Sequence, residues 1–204
     1  EVSLDRDDNG ELWLSNGHLQ VKLGPKGVEQ LQQRRGDGWG EPLLAEAMAL
    51  RRYGDRGEFW DAWDIASDYT DHALPMRWEA EEEQLESGPL CTQLRWRGHC
   101  GQSPLQLSVR LQAGSPWLEL IITAQWRQLH ELLRCEWALN QPGHFWCADT
   151  PGGVQERSSR PRTPREQARW EATAISWLWG GTNQAGLAVL LDGPQGVSGN
   201  NNGL

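Results

Sequence analysis

The residues best placed to do chemistry lie in one run, Glu58-Phe59-Trp60-Asp61-Ala62-Trp63-Asp64-Ile65-Ala66-Ser67-Asp68-Tyr69. Two Trp-Asp pairs, Trp60-Asp61 and Trp63-Asp64, recur three residues apart. An indole offers a flat face on which the C–H face of a pyranose can stack, and a carboxylate beside it accepts hydrogen bonds from sugar hydroxyls. The same residues have a structural use, because large aromatics mostly pack in cores and aspartates cap turns. Spacing alone leaves both uses open. The other polar groupings point to less. Glu79 to Glu83 is acidic and reads as a solvated strand face rather than a metal site, since unpaired charges stay in water. His18, His72, His99, His130 and His144 are isolated, and Cys91, Cys100, Cys135 and Cys147 lack CxxC or zinc-type spacing. Reduced, structural cysteines are expected.

The elements that must position these residues are strands. Glu11–Leu23 reads as strand, Asn16-Gly17 turn, strand, with the dipeptide suited to a type I′ turn. Gly24-Pro25-Lys26-Gly27 turns the chain into Val28–Leu31, and Gly-rich residues 35–40 form a loop. Residues 45–52 fit a helical turn or an edge strand equally. Leu90–His99 puts Leu94 and Trp96 on one face and Arg95 and Arg97 on the other. Three period-2 runs follow: Leu105, Leu107, Val109 and Leu111; Leu118, Leu120, Ile122, Ala124 and Trp126; and Leu133, Cys135, Trp137 and Leu139. Such runs, joined by turn residues, predict an antiparallel sheet with one buried face. Residues 151–165 hold two glycines, three prolines and the arginines 157, 160, 162 and 165, and read as a long loop. Residues 168–179 and 186–191 are strand-like again. The fold class is all-β, a large antiparallel β-sandwich with long loops.

With 204 residues the chain fits a single domain, residues 1–204. A net charge of −9 and a pI near 5.0 argue against a nucleic-acid partner. No apolar run approaches the roughly 20 residues of a membrane span, so no membrane partner is expected. The N-terminal residues lack the basic and apolar regions of a signal peptide, which makes the expected location cytoplasmic. The final residues follow an apolar run directly and suggest a fragment of a longer protein. A missing strand would leave an open edge that invites self-association, so a homo-oligomer is a possible state.

Several blocks together resemble the family 38 glycoside hydrolases, the α-mannosidases. Phe59-Trp60-Asp61-Ala62-Trp63-Asp64-Ile65 is the best match. Leu14–Leu23 resembles the family's opening strand pair, and Gln106–Leu118, with Ala113-Gly114-Ser115-Pro116, its strand and "AGSP" turn. Trp126, His130, Leu132 and Leu133 fit a further strand, Ala168-Arg169-Trp170-Glu171 a later segment, and Gly186–Asp192 a "G-V-A-L-L-N-D" strand. There are departures. Gln125 stands where the family has aspartate, Gln128 and Leu129 replace a Glu-Arg pair, and Arg160-Pro161-Arg162 does not reproduce a Pro-Thr-His run.

The resemblance implies the C-terminal or central β-sandwich (supersandwich, galactose-mutarotase-like) of a zinc-dependent retaining α-mannosidase. Retention needs two carboxyl groups about 5–5.5 Å apart. In the family the nucleophile and the zinc ligands precede the part resembled here. No catalytic or metal residue is therefore expected in this chain, which should be inactive alone. The expected partners are the protein's own N-terminal catalytic domain and, through the full-length enzyme, an α-mannoside. Trp60, Asp61, Trp63, Asp64 and Arg157 are the candidate substrate-binding residues. A free-standing carbohydrate-binding sandwich and a scaffolding domain are the alternatives.

Overall fold

Residues 1–57, 64–79 and 82–204 are described by a computed structural model, and the period-2 runs fold in it as strands joined in antiparallel sheets. The chain packs as two units, residues 1–42 with 47–135, and residues 43–46 with 136–204. In the first unit, β1 (Ser3–Arg6), β2 (Leu12–Ser15), β3 (Leu19–Gly24), β4 (Gly27–Arg35) and β5 (Gly38–Trp39) form a meander in chain order. Alternation decides its buried side: Leu12, Leu14, Leu19, Val21 and Leu23 are buried, and Trp13, Ser15, Gln20 and Lys22 between them are half-buried.

The hairpin at Asn16-Gly17 forms, but not through the predicted type I′ turn. Neither residue has positive φ. Asn16 is buried, and its side chain makes the turn instead. Oδ1 accepts from His18 N at 2.8 Å and Leu19 N at 2.9 Å, while Nδ2 donates to Gln112 O at 2.7 Å and Ser115 O at 2.9 Å. An amide carrying donors and acceptors can join two turns in this way, and a glycine in an ordinary conformation suffices beside it.

The ambiguous stretch before Arg52 is a strand, β6 (Ala49–Gly54), which β7 (Ala73–Leu74) flanks. β8 (Met76–Trp78) and β9 (Glu83–Ser87) both pair with β10 (Cys91–Cys100), followed by β11 (Ser103–Gln112) and β12 (Glu119–Ala124). The register sets Leu94 opposite Val109 and Trp96 opposite Leu107, all four buried. Arg95 and Arg97 lie on the other face and both reach Glu83, at 2.6 and 2.8 Å, as a solvated acidic strand allows. β12 is shorter than predicted, and Ile122, Ala124 and Trp126 of its expected buried face are exposed. It is the edge of its sheet, and period 2 says nothing about how many neighbours a strand has. β13 (Glu131–Glu136) pairs with β6 and stops before Trp137. Trp137 and Leu139 are buried but bond to Leu204 O and Asn202 O, each at 2.7 Å, so the predicted run to Leu139 is two elements.

The second unit contains β14 (Phe145–Thr150), β15 (Gly153–Ser158), a one-turn helix α1 (Pro164–Gln167), β16 (Ala172–Ala174), β17 (Trp177–Gly181), β18 (Gly186–Leu190) and β19 (Gln195–Val197). One sheet runs β15-β14-β17-β18 and a second pairs β16 with β19. Trp146, Ala148, Ala174, Leu178 and Val197 make its core. The long loop predicted over residues 151–165 is corrected here. Its first half is β15, hairpinned on β14 through Pro151-Gly152, with Gly152 at φ +90°. An edge strand needs no apolar alternation, and Gln155-Glu156-Arg157 gave none. Residues 159–163 are loop, as expected, and lead into α1, started by a capping box in which Thr163 Oγ1 accepts from Glu166 N and the Glu166 carboxylate accepts from Thr163 N. Among the described residues no helix is long and apolar enough to cross a membrane.

Candidate functional site

Of the Trp-Asp pairs, Trp60, Asp61 and Trp63 lie outside the described residues. Asp64 is exposed, and its Oδ1 accepts from the next residue, Ile65 N, at 3.0 Å. What the structure defines is the ground on which the segment stands. On the upstream side is Asp55, buried, which follows β6; its N–H donates to His130 O at 2.7 Å and its Oδ1 accepts from Ala66 N at 2.8 Å. On the downstream side Ala66 O accepts from Tyr69 N at 3.2 Å, at the start of a 3-10 turn spanning Tyr69–Asp71. The Tyr69 ring meets the Tyr53 ring edge-on, centroids 5.3 Å apart at 82°, and the Arg134 guanidinium lies 5.4 Å from its centre. Aromatic edges and cations both favour the negative π face, so β6, β13 and the turn are fixed to one another here.

Beside them Arg52 grips Glu131 through Nε and, at 2.7 Å, through Nη2, and reaches Pro75 O at 3.2 Å. The fork geometry suits a carboxylate, and with both side chains largely buried, removing either would leave the other an unpaired buried charge. Gln128, which stands where the family has glutamate, donates to Ser103 Oγ at 3.1 Å, and the fully buried Ser103 hydroxyl also accepts from Arg127 N at 2.8 Å. His130 holds a left-handed backbone, φ 54°, unusual for a residue with a side chain.

In the second unit Arg157 points into its own loop. Nη1 donates to Arg169 O at 2.7 Å and Glu171 O at 2.8 Å, Nε and Nη2 both donate to Gln155 Oε1, and the guanidinium lies 5.7 Å from the Trp146 ring centre. Burial, with the like charge of Arg169 next, lowers its pKa from the ordinary arginine value. Among the described residues Asp149 is the most perturbed carboxylate. Burial pushes its pKa up, but donors from Ser176 Oγ and the backbone N–H groups of Ser176, Trp177 and Ile175 outweigh that and bring it down to about 2. Asp149 ties the end of β14 to the turn before β17. Sequence reasoning missed Asp55, Asp149 and the Arg52–Glu131 pair, because each acts on a partner distant in sequence. Among the described residues no group of three or more His, Cys, Asp or Glu side chains could hold a metal ion, so the zinc of the resemblance has no fitting ligand set there.

Comparison with known proteins bears on what such a scaffold belongs to. The chain aligns with alpha-mannosidase 2C1 of Homo sapiens at 25% identity over 202 residues, 97% of this chain and 19% of the relative. Alpha-mannosidase 2C1 of Mus musculus aligns at 24% over the same share of each. The chain thus spans about a fifth of the length of these curated relatives. The family model for the glycosyl hydrolases family 38 C-terminal domain matches residues 14–204, and the chain belongs to that family.

Proposed function

We propose that this chain is the β-sandwich domain of a longer, zinc-dependent retaining α-mannosidase, and that it packs on the catalytic domain and lines part of the sugar cleft. The observation that carries the reading is the alignment of 97% of the chain with proteins named as α-mannosidases. In this reading the two carboxyl groups required for retention, about 5–5.5 Å apart, belong to the catalytic domain, as do the zinc ligands. Trp60, Asp61, Trp63 and Asp64 supply stacking faces and hydroxyl acceptors at the rim. Arg157 supports substrate binding by holding its own loop in the second unit, since its N–H groups are directed to backbone carbonyls and Gln155.

The test is hydrolysis of p-nitrophenyl α-mannoside, with and without a zinc chelator, by the full-length gene product and by residues 1–204. Activity in the long form alone, lost to the chelator and restored by zinc, is expected. Activity of the short chain would overturn the assignment of all chemistry to the missing part. An inactive long form would leave a sandwich that binds sugar without cleaving it.

A further inference from the structure

β12 ends its sheet with an edge that lacks the usual guards. Its residues Leu120, Ile122 and Ala124 stand across from Val109, Leu107 and Leu105 of β11, which are buried. The apolar face of the sheet therefore runs on to its last strand, where Ile122 is 39% exposed and residues 121–127 are all exposed. Gln125 N donates to Pro104 O at 3.1 Å, so Thr123, Ile121 and Glu119 are the next residues in bonding positions against β11. In an antiparallel ladder the residues between them turn their N–H and C=O groups the other way, so those of Leu120, Ile122 and Ala124 point to the open side. Natural edges are blunted by lysine, proline, a bulge or bare charge. Residues 119–125 hold no lysine, proline or glycine. Their one charge, Glu119, is turned back to β11, where it accepts from Arg110 Nη1 at 3.2 Å and Gln112 Nε2 at 3.1 Å. By contrast β9, on the far side of the same sheet, carries Glu83 and Glu86 among its five exposed residues.

We propose that β12 is a docking edge for a second copy of this chain, the two β12 strands pairing antiparallel about a twofold axis at Ile122. The sequence suits that register. With Ile122 facing its own counterpart, Leu120 meets Ala124, Ile121 meets Thr123 and Glu119 meets Gln125, so no like charges oppose one another. At the ends Trp117, which is 55% exposed, meets Arg127, a cation against an aromatic face. An isologous contact demands this self-complementarity, because one patch must serve both partners. Pairing gives the open N–H and C=O groups of Leu120, Ile122 and Ala124 their acceptors and donors, and it covers apolar side chains that β11 alone leaves in water. It needs no sugar cleft and no residue beyond β12 and its flanks.

The experiment uses the full-length gene product in analytical ultracentrifugation over a wide range of concentrations. Wild type is expected as a dimer that dissociates on dilution. Ile122→Lys sets two ammonium groups at the axis and is expected to weaken the dimer about 100-fold, while the circular dichroism spectrum of the wild type is kept. Ile122→Cys tests the register without adding charge. Residues bonded in pairs across an antiparallel ladder have Cα atoms about 5.5 Å apart, within the span of a disulfide. Mild oxidation is therefore expected to give a covalent dimer from Ile122→Cys, but not from wild type or from Thr123→Cys, whose side chain lies on the other face and opposite Ile121 of the copy. A wild-type monomer at every concentration overturns the proposal, and slow hydrogen exchange of the β12 amides in that monomer would assign the edge to another segment of the longer protein. A dimer that Ile122→Lys leaves intact overturns it too, as does cross-linking through Thr123→Cys in place of Ile122→Cys. Should Ile122→Lys not fold, the two cysteine variants decide by themselves.

Discussion

Replacing Asn16 by alanine should destabilise the first unit by about 3 kcal/mol, and the figure can be built bond by bond. Leu19 N is buried, so losing its acceptor leaves a donor without water, a cost of about 1–3 kcal/mol. The bonds to His18 N, Gln112 O and Ser115 O are part-buried, where water recovers some of the loss, and roughly 0.5 kcal/mol each is reasonable. In urea, with a slope of about 2 kcal/mol/M for a chain of this size, the midpoint falls by roughly 1.5 M. The assay is equilibrium unfolding followed by tryptophan fluorescence, read at the transition of the first unit. Asn16→Asp should be no better at neutral pH, because a carboxylate oxygen replaces the amide NH2 that donates to two carbonyls. Gly17→Ala is the control. Gly17 does not have positive φ, and a Cβ there meets nothing within 4 Å, so the change should be neutral or slightly stabilising. If Gly17→Ala costs more than Asn16→Ala, the turn depends on the glycine's backbone and the account of Asn16 is wrong.

Three further outcomes follow from the same geometry. Gly143 has φ +77°, and a Cβ there would lie 1.8 Å from Gly181 O, so Gly143→Ala should cost about 3 kcal/mol or more; a melting curve like wild type would refute it. Leu107 is fully buried, and Leu107→Ala should lower stability by about 2–5 kcal/mol, while a loss below about 1 kcal/mol would mean that the β10–β11 face is loosely packed. Asp149 is held to about 2 against an unperturbed 3.8, so its depressed value contributes stability that is complete above the unfolded value and disappears as pH falls from about 4 to about 2. Comparing denaturation midpoints across that window, wild type should lose stability more steeply than Asp149→Asn, and parallel curves would remove the carboxylate from the account.

How much of this could be read beforehand depends on where each signal lies. Alternation at Leu94–Trp96 and Leu105–Leu111 places core strands, because a strand buried on one face must alternate, while the Asn16-Gly17 dipeptide marks the first hairpin. β15 was illegible, since Val154 is its only large apolar residue and an edge strand has no face to hide. The exposure of β12 was equally hidden, because alternation reports faces and not neighbours. Side-chain roles failed for another reason. Asn16 bonds to a residue 96 positions away and Asp149 to one 27 away, and no local pattern carries that distance. Arg157 looked available for a ligand because its loop is rich in arginine; its partners, the carbonyls of Arg169 and Glu171, exist only once that loop has folded back.

The membership of residues 43–46 in the second unit has a consequence for how the chain is made. Leu44 is buried and bridges Leu139, Ala45 N bonds to Ala138 O at 2.9 Å, and Asn140 N bonds to Leu43 O at 2.9 Å. Leu44 therefore leaves the ribosome about 95 residues ahead of its bridge partner, Leu139. At 5–20 residues per second this apolar residue waits roughly 5–20 s for its partner. The wait matches the 96-residue separation of Asn16 from Gln112, so the early part of the chain carries both an apolar and a polar group without their partners until late in synthesis.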